Sequence, residues 1–194
     1  MKLSIILIIS AMVLFPDSLM AQVTESNIYP VCQSKAIDSK SELKVGDQAP
    51  DFTLLAVGGG EVSLHDYLGT KYVVISFVPA AWTPVCSVQW PEYNQFESVF
   101  RDHDAVLLGI SADNIPSLYA WINDMGGIWF EALSDFWPHG AVAEKYGVLR
   151  SDGTAERSLF IIDKQGIIRY IDIHDINQKP AFADLVVELQ KLED

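Results

Sequence analysis

YVVISFVPAAWTPVCSVQW, residues 72–90, is the stretch on which the fold turns. Its first seven residues form an almost unbroken apolar run rich in β-branched side chains, as in a strand covered on both faces. Pro79 ends that strand, and Pro84 opens a helical pattern in the first turn, where a missing N–H leaves no bond unmade. A strand passing directly into a helix begins a βα unit and puts Cys86 in the first helical turn. The N–H groups there have no acceptor within the helix and the macrodipole is positive, so the reactive thiolate is favoured over the thiol. Thr83 sits near the N-cap, where its hydroxyl is expected to cap the helix and face the sulfur.

Outward from this unit the chain keeps alternating. Phe52–Val57 and Glu61–Leu64 read as a hairpin around Gly58-Gly59-Gly60, followed by a helical turn at His65–Leu68. The pattern predicts further strands over 105–111, 128–133, 158–163 and 167–173, and helices over 84–102, 115–125, 138–146 and 180–192. Asp163-Lys164-Gln165-Gly166 is a hairpin turn between the last two strands. A βαβα start with an antiparallel ββα finish predicts a three-layer α/β/α domain with a mixed central sheet and an N-terminal β-hairpin.

Three regions are expected: a signal peptide at 1–21, a flexible polar segment at 22–44 and one domain at 45–194. Lys2 is a positive n-region, Leu3 to Phe15 an apolar core too short to span a bilayer, and Leu19-Met20-Ala21 a cleavage site. Removing residues 1–21 takes away only Lys2 and Asp17, so the net charge stays at -13. That charge excludes a phosphate-binding stripe, and with it a nucleic-acid partner. With 49% hydrophobic residues the chain can bury a core. Export to the periplasm would carry Cys32 and Cys86 into an oxidising compartment, where the plainest expectation for two cysteines is one structural disulfide.

The local context of Cys86 points elsewhere. Pro79-x-x-x-Thr83-x-x-Cys86 resembles the active-site motif of the peroxiredoxins. The resemblance extends over residues 45 to 190: V-G-D-Q-A-P-D-F-T-L at 45–54, L-S-D-F-W-P-H-G at 133–140, A-E-K-Y-G-V at 143–148 and R-S-L-F-I-I-D at 157–163. It implies a thioredoxin-like fold and an antioxidant oxidoreductase that reduces hydrogen peroxide, organic hydroperoxides or peroxynitrite without metal or flavin. It also implies Cys86 as the peroxidatic, redox-active cysteine, Thr83 as the residue that aligns the peroxide, and Arg157 as the group stabilising thiolate and departing oxygen. Pro79 would shield the sulfenic acid, and the N–H groups of Val85 and Cys86 would complete the cradle. Trp82 and Trp137 are expected as the aromatic wall of the pocket, with His139 nearby. An external thiol reductant, either a thioredoxin-like protein or a small thiol, and a homodimer are the partners such proteins imply.

One departure stands out. Many family members have Glu three residues after the cysteine, where it orients the arginine; here the residue is Gln89. An amide can accept a hydrogen bond but cannot balance the charge, which leaves Glu156 or another carboxylate as the expected holder of Arg157. Cys32 stands outside the familiar resolving positions. It resolves the sulfenic acid within the chain, forms disulfides with other molecules, or is a spectator; the working expectation is a 1-Cys enzyme.

Other readings fit less well. A thiol:disulfide oxidoreductase needs an attacking thiolate at position 83, which a threonine hydroxyl cannot replace. A silent binding module on the same fold has no need of Pro79, Thr83, Cys86 and Arg157 together. His65, His103, His139 and His174 have no metal-ligand spacing. The five tryptophans read mostly as core, and Asp102, Asp104 and Asp113 as solvated loop-end charges.

Overall fold

The computed structural model describes residues 22–192, and the expected signal peptide at 1–21 lies outside the described residues. The apolar runs become the centre of a seven-stranded sheet: β1 Thr53–Ala56, β2 Glu61–Ser63, β3 Tyr72–Phe77, β4 Ala105–Ser111, β5 Glu131–Ser134, β6 Ser158–Ile162 and β7 Ile168–Ile173. Their order is β2-β1-β5-β4-β3-β6-β7, with β3, β4 and β5 parallel and the remaining pairings antiparallel. The helices are α1 Cys86–Gln95, α2 Glu97–Asp102, α3 Ile115–Asp124, α4 Ala141–Lys145 and α5 Phe182–Gln190.

The pleat of β3 separates two cores. Val74 points to a cluster containing Trp90, Tyr93, Phe100, Trp121 and Leu185, drawn from α1, α2, α3 and α5. Val73, Ile75 and Phe77 point to the opposite cluster, with Val142, Tyr146 and Phe160. These are the two outer layers of the α/β/α arrangement: the helices between β3, β4 and β5 pack on one face, and α4, on the return from β5 to β6, lies on the other. Close packing is visible at β4, where a Cβ on Gly109 would meet Trp90 Cζ2 at 2.5 Å. Only glycine lets that indole lie on the strand.

The register also positions the chemistry. β3 pairs antiparallel with β6 so that Phe77 faces Ser158. Arg157, one residue before β6, therefore arrives beside the carboxyl end of β3, where the loop to α1 starts. Open α/β sheets place their ligands at this kind of strand end.

Three expectations change in detail. The helix expected over 84–102 is two helices, because Phe96 leaves helical geometry (φ -113°, ψ 30°) and stacks on Phe182 with ring centroids 4.3 Å apart. The helix expected over 138–146 begins at Ala141, since His139 and Gly140 have positive φ. The segment 22–44 is irregular, as expected, but it runs a tied course rather than a free one. Asp124 holds Thr24 and Asn27, the Glu156 carboxylate accepts from the N–H groups of Asp38 and Ser39, and Ser41 donates to the Tyr146 carbonyl.

Candidate active site

The loop between β3 and α1 is shaped residue by residue. Pro79 is buried at the strand end and Trp82 adopts a left-handed conformation with φ 63°. The Ala81 N–H donates to Asp113 Oδ2 at 2.7 Å, and Ser111 Oγ donates to the same oxygen at 2.5 Å. Asp113 is thus a loop anchor tied to the end of β4, not the solvated charge expected.

The helical ladder starts with the Ser87 N–H donating to the Thr83 carbonyl at 2.9 Å. Pro84 has no N–H, so Val85 and Cys86 supply the leading donors of this helix end. The Thr83 hydroxyl does not cap the helix; it donates to the Ala80 carbonyl at 2.8 Å. That bond occupies its proton and turns its lone pairs toward any incoming O–H.

Cys86 is fully buried, and Arg157 is 2% exposed. One guanidinium nitrogen, Nη2, lies 3.5 Å from Cys86 Sγ. Nη1 donates to Gln89 Oε1 at 2.5 Å, while Nε and Nη2 donate to the Ile176 carbonyl at 3.2 and 3.1 Å. Arg157 is therefore held by Gln89 and a main-chain carbonyl. Glu156, the expected holder, is instead engaged by Arg150 Nη1 at 2.5 Å in a buried pair. Among the described residues no carboxylate forms an ion pair with Arg157, so the Cys86 sulfur is the group placed to balance its charge. Gln89 is fixed from behind: its Nε2 donates to Tyr93 Oη at 3.0 Å and to Ser76 Oγ at 3.4 Å. Burial pushes the Tyr93 phenol far above its ordinary range and keeps it neutral.

A cavity of about 390 Å³ adjoins this group, lined by Pro79, Thr83, Val85 and Arg157 together with Val31 to Ser34, while Cys86 itself lies behind that lining. Cys32 is exposed and belongs to that lining. Trp82 and Trp137 do not line this cavity. Trp137 is 73% exposed and belongs to a different cleft, with Leu55, Ile115 and Phe136, while His139 packs its ring on Trp137. The expected aromatic wall is thus replaced by the N-terminal segment and by Ile176 and Asn177. Both cysteines are free thiols, so the structural disulfide is not formed.

The structure thus brings Arg157, one residue before β6, onto the sulfur of a buried cysteine at the start of α1. Residues 45–171 match the AhpC/TSA family. The chain is a peroxiredoxin. Alkyl hydroperoxide reductase E of Mycobacterium tuberculosis is 39% identical to it over 132 residues, which cover 68% of this chain and 86% of that protein. Peroxiredoxin-2 of Cricetulus griseus is 39% identical over 142 residues, covering 68% and 70%. Among solved structures, Mycobacterium bovis AhpC superposes with a TM-score of 0.72 at 25% identity, over 78% of this chain and 93% of that one. A reduced 2-Cys peroxiredoxin of Plasmodium vivax gives 0.72 at 27% identity, over 77% and 81%. This peroxiredoxin is a thiol-dependent peroxidase with a thioredoxin-like fold, and neither the disulfide oxidoreductase nor the silent binding module is favoured.

Proposed function

We propose that Cys86 is the peroxidatic nucleophile and that Thr83, Arg157 and the N–H groups of Val85 and Cys86 form the cradle for the peroxide. The observation that carries this reading is the 3.5 Å approach of Arg157 Nη2 to Cys86 Sγ inside a buried network. The thiolate attacks the terminal oxygen of R–O–O–H and the O–O bond breaks. Cys86 becomes a sulfenic acid, and the departing RO⁻ leaves as the alcohol after taking a proton. Arg157 offsets the charge as it moves from sulfur to the leaving oxygen, and Thr83 accepts from the peroxide O–H to hold the two oxygens in line. Pro79 covers the oxidised sulfur. The substrates are hydrogen peroxide and small organic hydroperoxides, which a cavity of about 390 Å³ admits.

An external thiol of the thioredoxin-like class, or a small thiol, returns the enzyme to its reduced form, and the working assembly is a homodimer. The n-region Lys2 and the apolar run Leu3–Phe15 support export to the periplasm. Peroxide consumption with a thiol reductant tests the central reading: wild type turns over, and Cys86→Ser loses nearly all activity. Unimpaired turnover by Cys86→Ser would remove Cys86 from the mechanism. Cell fractionation with mass determination of the N-terminus tests export, and a cytosolic protein retaining Lys2 would overturn it.

A further inference from the structure

We infer that Cys32 is the resolving cysteine of the same polypeptide, carried on a strap that crosses the mouth of the active-site cavity; this rests on the assignment of Cys86 as nucleophile. The strap is pinned at both ends. On one side the Tyr29 N–H donates to the Trp82 carbonyl at 2.7 Å, in the loop that leads to Cys86. On the other, Ser34 and Asn177 exchange two hydrogen bonds, at 3.0 and 2.8 Å. Pro30 to Gln33 span the gap between these anchors. Cys32 therefore lines the cavity together with Thr83, Val85 and Arg157.

The strap is also coupled to the arginine. The Ile176 N–H donates to the Ala36 carbonyl at 3.0 Å, while the Ile176 carbonyl accepts from Arg157. One peptide segment thus holds the guanidinium on its carbonyl side and the strap on its amide side.

Burial explains why a second thiol is needed. Cys86 is fully buried, so a bulky external reductant cannot reach its sulfenic acid, whereas Cys32 is exposed and lines the cavity together with Arg157, whose Nη2 lies 3.5 Å from the Cys86 sulfur. The Cys32 thiolate attacks the Cys86 sulfur; an S–S bond forms, the S–O bond breaks, and hydroxide leaves as water after taking a proton. A disulfide requires Cα atoms within about 7 Å, so the strap closes over the cavity, and its irregular, exposed residues between two hydrogen-bonded anchors permit that movement. The oxidised pair then presents the Cys32 sulfur to an external dithiol, which restores both thiols by exchange.

The test treats the full chain with one equivalent of hydrogen peroxide, alkylates it and maps the peptides without reduction. The expected product is a Cys32–Cys86 disulfide in a chain that runs as a monomer on a non-reducing gel. In Cys32→Ser the oxidised species is instead a sulfenic acid captured by a dimedone-type reagent, and steady-state turnover with a dithiol protein falls by at least about tenfold. Oxidised Cys86 with Cys32 alkylated, or a disulfide that joins two chains, overturns this inference and leaves the peroxidase assignment standing. Peroxide left unconsumed with both cysteines alkylated removes the nucleophile and the strap reading together.

Discussion

Gln89 grips Arg157 through one hydrogen bond, Nη1 to Oε1 at 2.5 Å, in a fully buried pocket beside the sulfur of Cys86. A neutral amide does here the positioning that many relatives assign to a carboxylate. It aims the guanidinium without neutralising it, so the positive charge beside the Cys86 sulfur is not cancelled by Gln89. Gln89→Leu removes the acceptor and leaves Arg157 free to tilt; the rate of peroxide attack is expected to fall by roughly 10- to 100-fold. Gln89→Glu restores the acceptor and recovers most of that loss. Stopped-flow oxidation of the two variants decides it, and equal rates for Gln89→Leu and wild type would remove the positioning role.

Arg157→Lys tests the fork itself. A lysine ammonium cannot reach Gln89, Ile176 and the sulfur at once, because it has one nitrogen where arginine has three. Peroxide attack is expected to slow by about 10²- to 10³-fold, the scale seen when one preorganised donor is lost. Single-turnover oxidation followed by intrinsic fluorescence would report it; a change below threefold contradicts the role.

Thr83 separates alignment from folding. Thr83→Ser keeps a hydroxyl that can donate to Ala80 and accept from the peroxide, while Thr83→Val loses both. The valine variant should lose about 1 kcal/mol of stability with the Ala80 bond and a much larger factor in rate. A parallel fall of both variants in melting temperature, with unchanged rates, would make Thr83 purely structural.

Asp113→Ala unties the catalytic loop at a distance from the chemistry. It leaves the Ala81 N–H and the Ser111 hydroxyl without their shared acceptor, at a cost of about 1–3 kcal/mol. Denaturant unfolding and the peroxide rate should both change. Loss of stability with an untouched rate would show that the loop keeps its shape without the tie.

Asp135 gives a pH signature. Its buried carboxylate accepts from the N–H groups of Val142 and Ala143 at the start of α4, yet burial raises its pKa above the usual carboxylate range. The folded state therefore holds this proton more tightly than the unfolded chain. The associated stability is fully present below the unfolded pKa of about 3.9 and is lost as pH rises through the raised folded value. Asp135→Asn should remove that slope while its amide oxygen still accepts from the α4 N–H groups, whereas Asp135→Ala should cost about 0.5–2 kcal/mol of capping. Urea unfolding across the acid range checks the sign; identical pH slopes for wild type and Asp135→Asn refute it.

The β3–α1 unit was legible in the sequence because a continuous apolar run, a proline stop and a proline helix start all describe the same local geometry. Arg157 was legible only by resemblance to a known segment; the antiparallel register of Phe77 with Ser158 is what carries it to Cys86. Ile176 had no signal at all, since it acts through a main-chain carbonyl that any residue could supply. The segment 22–44 was read as flexible because its ties run to Trp82, Asn177 and Glu156, partners distant in the chain. Trp137 was misplaced for the opposite reason: its apolar side chain suggested a pocket wall, while its loop, with His139 at positive φ, leaves the indole 73% exposed.

The Ile176 carbonyl and the strap both lie outside residues 45–171, the part of the chain that matches the family. The matched residues thus carry the sulfur and Arg157, while residues before and after them line the cavity and hold the guanidinium. A change in either flank can therefore reach the Cys86 pocket through Ile176, whose amide holds the strap and whose carbonyl holds Arg157.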